Sequence, residues 1–232
     1  MMVNIKKDGR KMINLLSDYI WQSLPQYAPF ETNPNLRKKV TDDGKMRSYR
    51  GNTAVFLLDD GTKRALQGLR DELYSVAGEM LSEKLQTDIF HMTLHDLVNG
   101  FGTEEGFDAC MADAEYKARE IISRFQSDEP LRMHTTRMFN MVNTSIVLGL
   151  APADDETHRR LDEMYCALET VVPLGYALTP HITMAYYKPG SYGQEAMERL
   201  RPALREVDLW VTLRPKDLVL QIFSDMNHYR TI

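Results

Sequence analysis

The pattern of apolar and polar positions falls into two similar halves. Residues 52–58 are a short apolar run, Asn52-Thr53-Ala54-Val55-Phe56-Leu57-Leu58, closed by the polar Asp59-Asp60-Gly61-Thr62. A run of that length bounded by turn residues predicts a strand. Behind it, Leu66, Leu69, Leu73, Val76 and Met80 recur at helical spacing. Residues 88–97 then alternate as a strand does, Phe107, Cys110, Met111, Ala114, Ala118, Ile121, Ile122 and Phe125 mark an amphipathic helix, and a strand is expected over 131–141.

The same order begins again at Asn143-Thr144-Ser145-Ile146-Val147-Leu148. A turn through Pro152 and Asp154 leads into a helix marked by Leu161, Met164, Tyr165 and Leu168, then a strand over about 176–187. A helix carrying Met197, Leu200, Leu204 and Val207 follows, with strand-like runs at 209–213 and 218–223. From Asn52 to Asn143 is 91 residues and from His91 to His181 is 90, so two landmarks share one offset. The offset predicts a duplicated βαβαβ unit. The expected fold is α/β (α+β): one bilobal domain over 51–232, with lobe repeats of about 52–141 and 143–225. Two antiparallel-type sheets form a central groove and the helices lie outside. Residues 1–50 form an extension before the repeat. In it Met12, Ile13, Leu15, Leu16, Ile20 and Trp21 predict a helix ended by Pro25, and 29–34 reads as a loop. Arg37-Lys38-Lys39 ahead of Asp42-Asp43-Gly44-Lys45 reads as a solvated loop or hairpin, the alternative being a lid or a phosphate-facing arm.

Composition narrows the field. At 232 residues, 43% hydrophobic and 26% charged, the chain is ordinary for a globular protein. A net charge of -5 argues against wrapping long duplex nucleic acid, and leaves room for a nucleotide or short oligonucleotide in a local pocket. No stretch reaches the roughly 20 apolar residues that span a bilayer, so no membrane partner is expected and the protein reads as cytoplasmic and monomeric. Cys110 and Cys166 sit in helical segments without metal-ligand spacing and read as reduced packing residues.

The chemistry concentrates in His91-Met92-Thr93-Leu94 and His181-Ile182-Thr183-Met184, one in each half. Alternate strand residues share a face, so His and Thr point together in each copy. Breaking a phosphodiester needs a base, an acid, and donors to the non-bridging oxygens. Two imidazoles supply the first pair near neutral pH, and two hydroxyls supply the donors. Regular alternation puts His95 beside His91 and Thr93, and Tyr187 beside His181 and Thr183, as candidate substrate contacts, with Tyr187 suited to stacking on a base or bonding a phosphate, and with a solvent-facing place at the strand end as the alternative for His95. It leaves Tyr186 facing the core. Arg137 in the 131–141 strand is a candidate phosphate contact, with ordinary surface placement as the alternative. His134, His158 and His228 have no partner at comparable spacing. No metal site and no cofactor are expected: paired acidic ligand motifs and Cys clusters are missing from the sequence, and the i, i+4 pair His91 and His95 lies in a strand, where that spacing does not bring two ligands together as it does on a helix.

On these motifs the chain, from about 45 to 225, resembles the 2H phosphoesterases, a superfamily defined by two His-x-[Ser/Thr]-x tetrads. Residues 41–53 resemble the leading segment of a less characterised bacterial and fungal branch. The resemblance implies a bilobal α/β fold with a groove and metal-independent chemistry on 2',3'-cyclic or 2',5'-linked phosphates of nucleotides or short RNA. Carried over by residue, His91 and His181 become the general acid and base, and Thr93 and Thr183 the phosphate donors. The alternatives are a nucleotide- or RNA-end-binding module without turnover, and a 2'-5' RNA ligase working in reverse.

Overall fold

The computed structural model describes residues 24–232. The helix expected around Met12 to Trp21 lies outside them. Among the described residues, two antiparallel four-stranded sheets and four α-helices make up an α+β fold. A short β1 (Phe30–Glu31), in a stretch expected to be loop, precedes the repeat. The first half of the chain then runs β2 (Arg50–Leu57), α1 (Asp60–Ala77), β3 (His91–Gly100), α2 (Phe107–Ser123) and β4 (Leu131–Met141). The second runs β5 (Ser145–Pro152), α3 (Asp155–Glu169), β6 (His181–Tyr186), β7 (Ser191–Tyr192), α4 (Gln194–Leu200) and β8 (Trp210–Leu213), with β9 (Leu218–Asp225) and β10 (His228–Thr231) completing the chain. β1 pairs with β7.

The sheets have the orders β10-β9-β2-β3 and β6-β5-β4-β8. Each therefore draws on both halves of the chain. β4, the third strand of the first half, lies beside β5, while β9 from the end of the chain lies beside β2, so neither lobe is one contiguous repeat. The physical reason is local: β4 and β5 join through a tight turn in which Thr144 N–H donates to Met141 O at 3.0 Å. Val142 and Asn143 at its centre both have positive φ, 44° and 58°, the twist that suits a right-twisted hairpin. The N-terminal segment holds this turn from outside, Asn33 Nδ2 donating to Val142 O and Asn143 Nδ2 to Glu31 O.

The duplication extends to the helix starts. Asp59 caps α1 by accepting from Thr62 N at 2.9 Å, and Asp154 caps α3 by accepting from Thr157 N at 2.7 Å. The same Asp-Asp-x-Thr box thus opens both helices, each cap contributing about 1 kcal/mol. Strand register refines the repeat: Val55 faces Thr93 and Val147 faces Thr183. Val55 therefore corresponds to Val147, one residue out of step with the Asn52 and Asn143 match.

One core serves both lobes. Ala54, Phe56 and Leu66 from the first half join Leu148, Leu161 and Ile182 from the second in a single cluster of buried side chains. Helices reach across as well: α1 touches β6 and α3 touches β3. The edge strands β3 and β6 thereby lie against each other without hydrogen-bonded pairing. Cys110 and Cys166, expected to pack, are instead exposed free thiols on α2 and α3, because both point away from the helix faces that meet the sheets. Among the described residues no helix is long and apolar enough to cross a membrane.

Candidate functional site

Where β3 and β6 meet, a cleft of about 760 Å³ opens, lined by His91, Thr93, His181 and Thr183 together. That volume includes the open mouth of the cleft. The two histidines are held alike. His91 Nδ1 lies 2.7 Å from Ile89 O, and His181 Nδ1 lies 2.6 Å from Thr179 O, in each case the carbonyl two residues earlier. A carbonyl only accepts, so each Nδ1 carries the proton and each neutral ring keeps its lone pair on Nε2. Neither Nε2 has a hydrogen-bond partner among the described residues, and neither does the hydroxyl of Thr93 or Thr183. Four polar groups therefore face the cleft uncommitted.

Burial in the floor of the cleft drives the electrostatics. It pushes His91 down from 6.5 to about 4, against the opposing bond to Ile89 and the charge of Asp96. His181 is lowered for the same first reason, against its bond to Thr179 and Asp96. Both rings are thus neutral in the free protein near pH 7. Tyr229 of β10 lies against His91, ring centroids 5.1 Å apart at 60°, and burial raises its phenol well above the ordinary value.

Three of the expected substrate contacts lie elsewhere. His95 is 1% exposed and faces the core, its Nε2 3.0 Å from Glu169 Oε1 and its ring against Tyr165. Tyr187 is fully buried against Phe30, 5.0 Å between centroids, and stacks on nothing in the cleft. Arg137 is on β4, two strands from the cleft edge of its sheet, and donates to Leu204 O at 2.9 Å.

One cause explains the first two. A β-bulge follows each His-x-Thr: Thr93 faces Val55 but His95 faces Ala54, and Thr183 faces Val147 but Ala185 faces Ile146. Leu94 and Met184, the last residues of the two tetrads, are the extra residues. An extra residue reverses the parity of everything after it. His95 and Tyr187 consequently turn inward, and Asp96 and Tyr186 turn into the cleft. The apolar pair Met184-Ala185 is a visible break in alternation, whereas in the first copy the polar His95 conceals it.

The cleft also holds residues that alternation did not single out. Lys39, from the segment before the repeat, lies with its Nζ 5.7 Å from the Tyr49 ring and 5.8 Å from the Tyr186 ring. The Tyr186 hydroxyl foremost, then Asp96, hold its ammonium above the ordinary range against burial. Of the basic run, Lys39 thus lines the cleft, while Arg37 pairs with Asp42 in solvent. Tyr49 OH donates to Asn99 Oδ1 at 2.5 Å, and Tyr186 OH donates to Met226 Sδ at 3.2 Å. Asp96 makes no hydrogen bond or ion pair among the described residues. Among those residues no three His, Cys, Asp or Glu side chains gather as a metal-ligand group.

The arrangement can carry out acid–base chemistry on an anion: two Nε2 atoms for proton transfer, two hydroxyls and a lysine for charge. Comparison with known proteins bears on the scaffold. No protein-family model matches the sequence, and no curated protein matches it. Among solved structures, the chain is similar to ATU0111 from Agrobacterium tumefaciens strain C58, a conserved protein of unknown function. The two are 17% identical over 93% of this chain and 97% of that one, with a TM-score of 0.62. LigT from E. coli complexed with 3'-AMP is 12% identical over 79% of this chain and 95% of that one, with a TM-score of 0.49. TT0787 of Thermus thermophilus is 14% identical over 78% and 94%, with a TM-score of 0.46. At these identities the likeness to ATU0111 is one of fold, and the two-lobed frame around the cleft is a shared architecture.

Proposed function

We propose that the chain is a metal-independent phosphodiesterase that opens a 2',3'-cyclic phosphate, or cleaves a 2',5' linkage, on a nucleotide or short RNA. The observation that carries this is the matched pair of histidines, each with Nδ1–H tied to the carbonyl two residues earlier and Nε2 left free on a common cleft. For the cyclic ester, one neutral Nε2 takes a proton from water as its oxygen bonds to phosphorus. The bond from phosphorus to one ribose oxygen breaks, and the other ring, as imidazolium, gives its Nε2 proton to that oxygen. One water is consumed, and the two rings end with their protonation states exchanged.

The acid must be charged although burial keeps both rings neutral in the free protein. The substrate supplies the correction, since a phosphate anion beside an imidazole favours the protonated form. Thr93 and Thr183 donate to the non-bridging oxygens, where charge accumulates in the transition state, and Lys39 adds a cation at the rim.

The test is product analysis by phosphorus NMR after EDTA-treated protein is incubated with 2',3'-cyclic nucleotides and 2',5'-linked dinucleotides. His91→Ala and His181→Ala should each lower turnover by about 10² to 10⁴ with the fold intact. Full activity in either variant rules the mechanism out.

A further inference from the structure

The two halves of the cleft match at His and Thr and differ at the next cleft-facing position. After the bulge the first half presents Asp96 and the second presents Tyr186. The charge of Asp96 already acts on Lys39 and on both histidines, and a carboxylate's two oxygens have room besides for hydrogen-bond donors from a ligand. Asp96 has no hydrogen-bond donor among the described residues, although Lys39 lines the same cleft. Further along β3, a second register shift opposite Gly51 and Thr53 returns Asn99 to the cleft side. Its Oδ1 is occupied by the Tyr49 hydroxyl, which leaves Nδ2 as the end available to a ligand. The same cleft wall thus offers an acceptor with two oxygens and, three residues on, a donor, neither of them hydrogen-bonded among the described residues.

We infer that Asp96 and Asn99 read the base of the nucleotide, and that the base they fit is guanine. This rests on the phosphodiesterase reading. In a 2',3'-cyclic phosphate both ribose oxygens are esterified, so the sugar has no vicinal hydroxyls to give a carboxylate. The donors must come from the base. Guanine carries N1–H and N2–H₂ next to each other, a pair that one carboxylate accepts in parallel, and the adjoining O6 accepts from Asn99 Nδ2. Adenine and cytosine each offer one amino group, and uracil sets an oxygen against the carboxylate. Aromatic rings border the cleft: Tyr49 and Phe223 line it, each 8% exposed, their rings 6.4 Å apart and inclined by 26°, and aromatic side chains hold single bases by stacking. Asp96 and Asn99 lie beyond Thr93 along β3, on the same wall of the cleft, the side open to a base whose phosphate lies between the histidines.

Calorimetric binding of 3'-GMP, 3'-IMP, 3'-AMP, 3'-CMP and 3'-UMP to the full chain tests this without requiring turnover. The expected result is 3'-GMP bound about tenfold to a hundredfold tighter than 3'-AMP, the range of one bidentate base contact. 3'-IMP, which lacks N2, falls between. Asp96→Asn, isosteric at a side chain that supports no internal bond, removes the preference without weakening 3'-UMP. Equal affinities, no binding of any of the five, or a guanine preference that survives Asp96→Asn overturns the inference. Equal turnover of all four cyclic nucleotides overturns it while leaving two-histidine catalysis standing. Guanine-selective binding with no turnover leaves the base site standing and overturns the phosphodiesterase.

Discussion

The depressed titration of His91 can be measured as stability. Its ring goes from an ordinary 6.5 to about 4 on folding, chiefly because burial disfavours the charged form. Between those values the unfolded chain holds a proton that the folded protein does not. Stability therefore is complete above pH 6.5 and declines as pH falls toward 4. The whole shift corresponds to about 3 kcal/mol as a ceiling, and solvent in the open cleft reduces it. His91→Asn is the informative perturbation, since an asparagine Nδ2 stands close to where Nδ1 was and can keep donating to Ile89 O while removing the titrating ring. Urea unfolding at a series of pH values from 7 to 4 should show the wild type losing about 1–3 kcal/mol more than the variant. The groups common to both proteins cancel in the difference. Superimposable stability profiles, or a nitrogen NMR spectrum showing the proton on Nε2 of His91, would refute the account of this site.

Other outcomes follow from the same geometry. Bound inorganic phosphate or a 3'-nucleotide should raise the titration midpoints of both His91 and His181, read by NMR, because an anion stabilises each imidazolium. Thr93→Val and Thr183→Val should each lower turnover by about 10² with little change in melting temperature, as neither hydroxyl has a hydrogen-bond partner among the described residues. His95→Ala should destabilise the fold by roughly 1–3 kcal/mol through the bond lost to Glu169, while turnover per folded molecule is retained; loss of turnover with stability intact would return His95 to the cleft. Val142→Gly should stabilise by about 1 kcal/mol in chemical denaturation, since a β-branched residue is held there at φ 44°.

The sequence by itself determined a good deal. Two apolar runs, two helical stripes and two His-x-Thr tetrads at a common offset specify a duplicated α+β chain, and the tetrads foretell which four side chains share the cleft. Periodicity reports these features because each depends on residues a few positions apart. What failed was anything depending on a partner strand. A bulge arises when one strand must accommodate another, and nothing within residues 91–96 reveals that Leu94 is the surplus residue. Strict alternation accordingly sent His95 and Tyr187 to the cleft and kept Tyr186 out of it. Only the tertiary structure decided that β4 of the first half and β9 from the end of the chain would each join the sheet of the other half, because they find their neighbours through pairing with β5 and β2 rather than through local propensity. It also brought Lys39 and Tyr229, far from the tetrads in sequence, to the two histidines. Contacts of that kind are fixed by the shared core that closes the lobes on each other, and packing across such distances leaves no period in the chain.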